Sequence, residues 1–267
     1  NLVGGFILLA SVIGLFATSA SLGGTPSYLL ADLVGLQIPT DLARWLMVGF
    51  LVAFIIKAPM VPLHTWLPLA AEQATPGSST LMVGVLDKIG TFAMIRFCIG
   101  LFPEASAWVA PVMIGLALIS ILYGAAAAIA STNLLRLVSY TSVSHFGFMV
   151  LGIYVFTTQS INGSIFFMVN HGFSTAALFL AVGFMIKRRG SADISDFGGV
   201  EKVTPVLAGG VLLAALSACM IKGIERVTPL LKFQLHGVEV RLSAVRQDAP
   251  PRILRVDYEL IVDTDED

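Results

Sequence analysis

Charge is what this sequence has least of. Only 12% of its 267 residues are charged, against 56% hydrophobic, where a soluble domain carries about 25% charged residues. That scarcity excludes an ordinary water-facing globule. Cysteine is almost absent as well: Cys98 and Cys219 stand too far apart for a metal motif. Cys98, in an apolar run, reads as a small buried hydrophobe. No phosphate loop, dinucleotide fingerprint, nucleophile elbow or haem motif occurs, so no redox site is visible in the chain. There is no initiator Met and no basic stretch ahead of the first apolar run; residue 1 is expected not to be the natural start. The net charge of -1 says nothing about nucleic acid, and no nucleic-acid partner is expected.

What is present is apolar length. The mean hydropathy is +0.87, and runs of about 20 apolar residues recur, each enough to cross a bilayer as a helix. The expected class is an all-α membrane protein, a polytopic transmembrane helix bundle of about seven helices with one broken by proline. The apolar segments are 2–22, 42–57, 79–101, 106–130, 134–156, 161–186 and 204–218. Residues 1–217 carry 17 charged side chains and residues 218–267 carry 16. The chain therefore divides into a membrane domain, 1–217, and a charged tail, 218–267. The tail alternates around Lys232–Leu242, with His236-Gly237 as a turn, and again around Arg252–Val262. It ends in the acidic DTDED. It reads as β or disordered, whether a shifted reading frame, a divergent soluble extension or neither.

Lysine and arginine bias gives orientation. One side receives Arg136, Lys187, Arg188, Arg189 and Lys202, and the other essentially Arg44. The first side is expected to be cytoplasmic, or the matrix side in an organelle. The loop Val61–Ser78 falls on that side.

The stretch Ile55–Ser79 organises the rest. Lys57 ends an apolar run that Pro59, Pro62 and Pro68 then interrupt. Proline removes a backbone donor and clashes with the carbonyl four residues back. Unpaired backbone at membrane depth persists only under a cover of protein or water, and broken helices recur at transporter ion sites. Alternatively, the helix ends at Lys57 and the prolines shape a surface loop. Lys88 lies about ten residues into the next segment, roughly 15 Å deep. A lysine at the bilayer centre costs about 2.5–3.5 kcal/mol on insertion scales, so it must face other helices or water. Gly84 and Thr91 share its face; the adjacent Asp87 does not. His145 shares a face with Thr141 and Ser142, and His171 with Ser174 and Thr175. Two histidines at similar depth with hydroxyl neighbours have the composition of a wetted proton path, although each is also compatible with a satisfied core residue. His64, His145 and His171 lack ligand spacing and a carboxylate cluster, so no metal is expected.

The runs KAPMVPLHTWLPLAAEQATPGSS, VLDKIGTFAMIRF, LLRLVSYTSVSHFGFMVLGIY, MVNHGFSTAALFL and DISDFGGV resemble, in order and spacing, the antiporter-like subunits of respiratory complex I. The wording is most similar to subunit M, called subunit 4 in mitochondria. The resemblance covers about Leu42–Ser217. It implies a proton-translocating module of NADH:quinone oxidoreductase, built on inverted five-helix repeats that each contain a broken helix. It implies that Lys57 is the lysine of the first broken helix and Lys88 that of the following helix. His145 and His171 would be relay histidines, the four together forming the proton path. It also implies other membrane subunits of complex I as partners, with NADH, FMN, iron–sulfur clusters and quinone held in them. The implied location is the bacterial inner (plasma) membrane rather than the mitochondrial one. The alternatives are a subunit of a multisubunit cation/proton antiporter, or an inactive fragment. Two departures stand out. The family pairs Lys57 with a glutamate on an earlier helix, and no acid lies in 2–22, so Lys57 is expected to lack that partner. After Ser217 the family's second broken helix is not recognisable, so the domain is expected to be incomplete.

Overall fold

A computed structural model describes residues 1–22, 26–198, 235–248 and 251–264. Residues up to 198 form a bundle of helices. In chain order these are α1 (Leu2–Ser21), the single turn α2 (Leu30–Leu33), α3 (Thr40–Lys57), α4 (Trp66–Gln73), α5 (Pro76–Leu81), α6 (Lys88–Ala93), α7 (Pro103–Ile129), α8 (Leu134–Tyr154) and α9 (Thr158–Arg189). α1, α7, α8 and α9 are each long and apolar enough to cross a membrane. α3 matches them in length but carries Asp41, Arg44 and Lys57. The bundle is thus the expected all-α membrane architecture. The seventh expected segment, 204–218, lies outside the described residues.

Apolar side chains face both ways, as they must where the surroundings are lipid. Phe6, Leu122 and Phe173 are well exposed, while Met47, Phe146, Met149 and Phe179 are fully buried. Without a hydrophobic drive between helices, close approach through small residues does the work. α7 and α8 pack this way. A Cβ on Gly124 would stand 2.6 Å from the Ser144 nitrogen, and the Ser144 hydroxyl donates across the seam to the Ile121 carbonyl at 3.0 Å.

Local capping sets the ends. Asn133 accepts from the Leu135 and Arg136 amides and opens α8. Thr157 and Ser160 form a reciprocal capping box at the start of α9. Gly190, at φ +80°, closes α9 in the left-handed conformation just after Lys187, Arg188 and Arg189. Its 32 residues span about 48 Å, more than the roughly 30 Å hydrocarbon core, so this basic end reaches past the apolar layer. The segment after α9 folds back to the foot of α8, where the Leu134 amide donates to the Ala192 carbonyl and the Ile194 amide to the Thr132 carbonyl. Arg136 pairs with Glu72 of α4 at 3.4 Å, which places α4 beside the basic foot of α8, as the orientation argument expects.

Two segments depart from plain helix. The first is the proline break. α3 runs to Lys57, eight residues without regular helix come next, and α4 then begins with Pro68 in its first turn, where a missing N–H costs little. The break is buried in part, with Pro62, Leu63 and Thr65 exposed. Ala58 and Met60 are fully buried, and His64 nearly so. The backbone groups it frees find partners: the Val61 amide donates to the Ser120 hydroxyl at 2.9 Å, and the Trp66 indole donates to the Ile56 carbonyl at 2.8 Å. The second is the segment 79–101, expected as one regular helix. It contains two π-helical turns, Met82–Leu86 before α6 and Met94–Ile99 after it. Each widens the helix and redirects the next stretch of chain.

In the tail, β1 (Leu235–Asp248) pairs antiparallel with β2 (Pro251–Thr264). This corrects the expected turn at His236-Gly237. That pair lies within β1, where it marks only a register irregularity, and the chain reverses between Asp248 and Pro251. Proline is tolerated there because it stands at the first position of a strand.

Candidate functional site

The ionisable side chains gather where the two irregular segments meet. Gly90 makes the meeting possible: its bare backbone lies against the last turn of α3, and a Cβ there would stand 2.7 Å from the Ala58 nitrogen. This contact brings Lys57, at the tip of α3, to the π-helical turn that ends at Asp87. The Lys57 ammonium lies 3.9 Å from a carboxylate oxygen of Asp87 and 5.9 Å from the centre of the Trp66 ring. Asp87 is fully buried, whereas the Lys57 side chain is 32% exposed. Among the described residues the chain after the break gives Lys57 a carboxylate neighbour that the sequence did not suggest.

Lys88 points elsewhere. Adjacent residues on a helix diverge by about 100°, and Lys88 is directed towards α8 and α9 while Asp87 faces α3. The Lys88 ammonium lies 5.5 Å from the centre of the Phe146 ring and donates to the carbonyl of Val83, inside the first π-helical turn. Gly84 and Gly172 bring this segment and α9 together: a Cβ on Gly172 would lie 2.9 Å from the Gly84 carbonyl and 3.8 Å from the Lys88 Cε. The room beside Gly84 is filled by α9. The Thr91 hydroxyl donates back to the Lys88 carbonyl at 3.0 Å.

The two histidines meet. The rings of His145 on α8 and His171 on α9 are 5.0 Å apart and nearly perpendicular. Phe146 lies 5.7 Å from His171, so one phenyl ring touches both Lys88 and His171. His171 is fully buried. The neighbouring hydroxyls are used differently from expectation. Thr141 and Ser142 donate to carbonyls of their own helix, Leu137 and Val138, and Ser174 donates to the His171 carbonyl. They offer the imidazoles at most lone pairs. Of the four sequence-derived residues, the structure puts the rings of His145 and His171 together and sets Phe146 against both Lys88 and His171, while Lys57 meets Asp87, the chain neighbour of Lys88.

Two features were not read from sequence. Asp87 was set aside because it cannot face Lys88, and its approach to Lys57 has no local signature. His64, in the break, packs edge-on against Tyr123 of α7 at 4.9 Å and near Tyr140 of α8 at 6.3 Å. His64 is thus buried beneath the exposed Tyr123 and the half-buried Tyr140.

The family described as NADH:quinone oxidoreductase/Mrp antiporter, TM, matches residues 1–225. The chain belongs to this family. It is similar to NADH-quinone oxidoreductase subunit M of Mycobacterium tuberculosis, 47% identical over 229 residues, which is 84% of this chain and 41% of the relative. Subunit M of Pseudomonas aeruginosa is 37% identical over 219 residues, 82% of this chain and 43% of the relative. Among solved structures it is similar to a chain of respiratory complex I from Thermus thermophilus, with a TM-score of 0.75 and 35% identity over 81% of this chain and 46% of that one. A chain of the Mrp complex from Dietzia has a TM-score of 0.69 at 25% identity over 86% of this chain and 46% of that one. The sequence therefore spans less than half the length of these antiporter-family relatives.

Proposed function

We propose that this chain is part of a proton-translocating subunit of NADH:quinone oxidoreductase in a bacterial plasma membrane. The observation that supports the reading is the gathering of Lys57, Lys88, His171 and His145 near the proline break and the facing helices, with the two imidazoles 5.0 Å apart and Phe146 against both Lys88 and His171, in a chain so similar to subunit M. Buried ionisable groups are costly in a bilayer and mark ion or proton pathways when they cluster. A neutral lysine amine can take a proton, and an imidazole can accept that proton at one nitrogen and release one from the other. Lys57 at the break acts as the charge switch, Lys88 as the central carrier, and His171 and His145 as the relay. Quinone reduction elsewhere in the complex supplies the drive. NADH, FMN, iron–sulfur clusters and quinone belong to partner subunits; the chain contributes part of one membrane subunit to the enzyme. Its partners are the neighbouring membrane subunits.

The test is Lys88→Ala in the full-length subunit, assembled in its complex and reconstituted in vesicles. The expected outcome is reduced NADH-driven proton uptake at normal assembly. Unchanged uptake would remove Lys88 from the path. The likeness to the Mrp complex supports a second reading, a subunit of a cation/proton antiporter without redox partners. Loss of sodium tolerance on gene deletion, with NADH oxidation unaffected, would favour it.

A further inference from the structure

The break after α3 spans residues 58–65, and few hydrogen bonds hold it. The Ala58 and Met60 amides donate back to α3, to the Phe54 and Ile55 carbonyls. Among the described residues, one hydrogen bond ties the break to another helix: the Val61 amide donates to the Ser120 hydroxyl of α7 at 2.9 Å. Ser120 is fully buried. Ser139 and Ser142 each donate to the carbonyl four residues back in their own helix. Ser120 reaches out of its helix instead, and its oxygen accepts an N–H that the break has left without a helical carbonyl.

The same turn of α7 is fixed to α8. The next residue, Ile121, accepts the Ser144 hydroxyl at 3.0 Å, and Ser144 directly precedes His145. Gly124 and Gly147 close this seam: a Cβ on Gly124 would stand 2.6 Å from the Ser144 nitrogen, and one on Gly147 would stand 2.8 Å from the Ala117 carbonyl. One turn of α7 thus grips the break on one side and the His145 turn of α8 on the other. Lys57 lies four residues before Val61, and Ala58, Pro59 and Met60 between them are all buried.

We propose that Ser120 is a positioning residue of the proton path: through α7 it holds the broken helix in register with the turn of α8 that carries His145. This rests on the proton-path reading of the proposed function. Ser120 moves no proton itself. Its oxygen is committed to the Val61 amide, and its part is to fix where the chain after Lys57 lies. A buried N–H without an acceptor is costly. Deprived of the hydroxyl, the Val61 amide must find water or another acceptor, and the chain after Lys57 shifts with it.

The test uses the full-length subunit assembled in its native complex and reconstituted in vesicles. It reads protons moved per NADH oxidised, together with hydrogen exchange in the peptide that spans the break. Ser120→Ala is expected to lower the ratio while NADH oxidation continues, and to speed exchange at the Val61 amide by about tenfold, the order set by one hydrogen bond. Ser120→Thr and Ser120→Val add similar bulk and differ in the acceptor, so Ser120→Thr is expected to keep more of the parent ratio. A purely structural role would reduce the amount of assembled complex and leave the ratio alone. A parent-like ratio in assembled Ser120→Ala would therefore overturn the proposal, as would equal losses in Ser120→Thr and Ser120→Val. Should Ser120→Ala not assemble, Ser120→Cys keeps nearly the size with only a weak acceptor; a lowered ratio there supports the proposal and an unchanged one overturns it. Lys88→Ala separates the two levels. A loss with Lys88→Ala but none with Ser120→Ala sinks only this proposal, whereas no loss with either removes the proton path on which it rests.

Discussion

Gly90→Ala adds a single methyl group at the point where α6 rests on the end of α3. The new Cβ would stand 2.7 Å from the Ala58 nitrogen and 2.8 Å from both the Ala58 Cβ and the Phe54 carbonyl oxygen. Carbon atoms pack at about 3.5–4.0 Å, so the two segments must part by about 0.8 Å. None of the three atoms can rotate away, and the Phe54 carbonyl is already engaged by the Ala58 amide at 2.7 Å. The same movement separates Lys57 from Asp87. From 3.9 Å the gap grows to about 4.7 Å, which at an effective dielectric of 20 weakens the attraction by about 0.7 kcal/mol. Overpacking adds about 1–3 kcal/mol, and the better helix propensity of alanine returns up to about 1 kcal/mol. The net expectation is a loss of about 1–3 kcal/mol, with reduced proton pumping on top of it. The control is Gly115→Ala in α7, where nothing lies within 4 Å of the added carbon and only the propensity gain remains. Both variants are made in the full-length subunit, and the assembled complex is heated stepwise and resolved on native gels. Gly90→Ala should dissociate or aggregate at a lower temperature than the parent, and Gly115→Ala should not. Equal heat tolerance and equal pumping in the two variants would refute the claim that backbone contact at Gly90 holds the lysine and the carboxylate together.

The same geometry gives two further outcomes. Asn133→Ala removes the acceptor for the Leu135 and Arg136 amides and is expected to cost about 1 kcal/mol, seen as faster hydrogen exchange confined to the first turn of α8. Trp66→Phe keeps the ring but deletes the indole N–H that caps the Ile56 carbonyl at 2.8 Å; orphaning that carbonyl costs about 1–3 kcal/mol, which protease cleavage between Lys57 and Trp66 would report.

The proline break was legible because proline acts through its own ring. Pro59 and Pro62, three residues apart, together disfavour continued helix, and Lys57 is marked by standing at the edge of an apolar run. Lys88, His145 and His171 were legible because charge inside a hydrophobic segment is anomalous on its face. The convergence of the histidines is also set by depth alone, since α8 and α9 are consecutive and joined by a short turn. Asp87 as the partner of Lys57 was not legible. It depends on a contact between residues 30 positions apart in sequence, set by the width of a glycine. Nor were the π-helical turns, because MVGVL and MIRFCI are ordinary apolar strings whose extra residue is decided by packing. The hydroxyls misled for a related reason. Thr141 and Ser142 share the histidine's half of the helix, but a hydroxyl within a helix can satisfy itself on the carbonyl four residues back. In the tail, His236-Gly237 looked like a turn only because glycine permits one.

The two irregular segments serve one purpose, which explains why both lysines sit beside them. In a regular helix every interior carbonyl is already bonded four residues on and keeps only its second lone pair for a side chain. A π-helical turn lengthens one register of that ladder, and the Val83 carbonyl within it accepts the Lys88 ammonium. The proline break does the same for the other lysine by a different route. It ends α3 at Lys57, leaves the Ile56 carbonyl to the Trp66 indole, and so sets an aromatic face 5.9 Å from the charge. Acceptors supplied by backbone defects and aromatic faces are weaker than a carboxylate for each lysine.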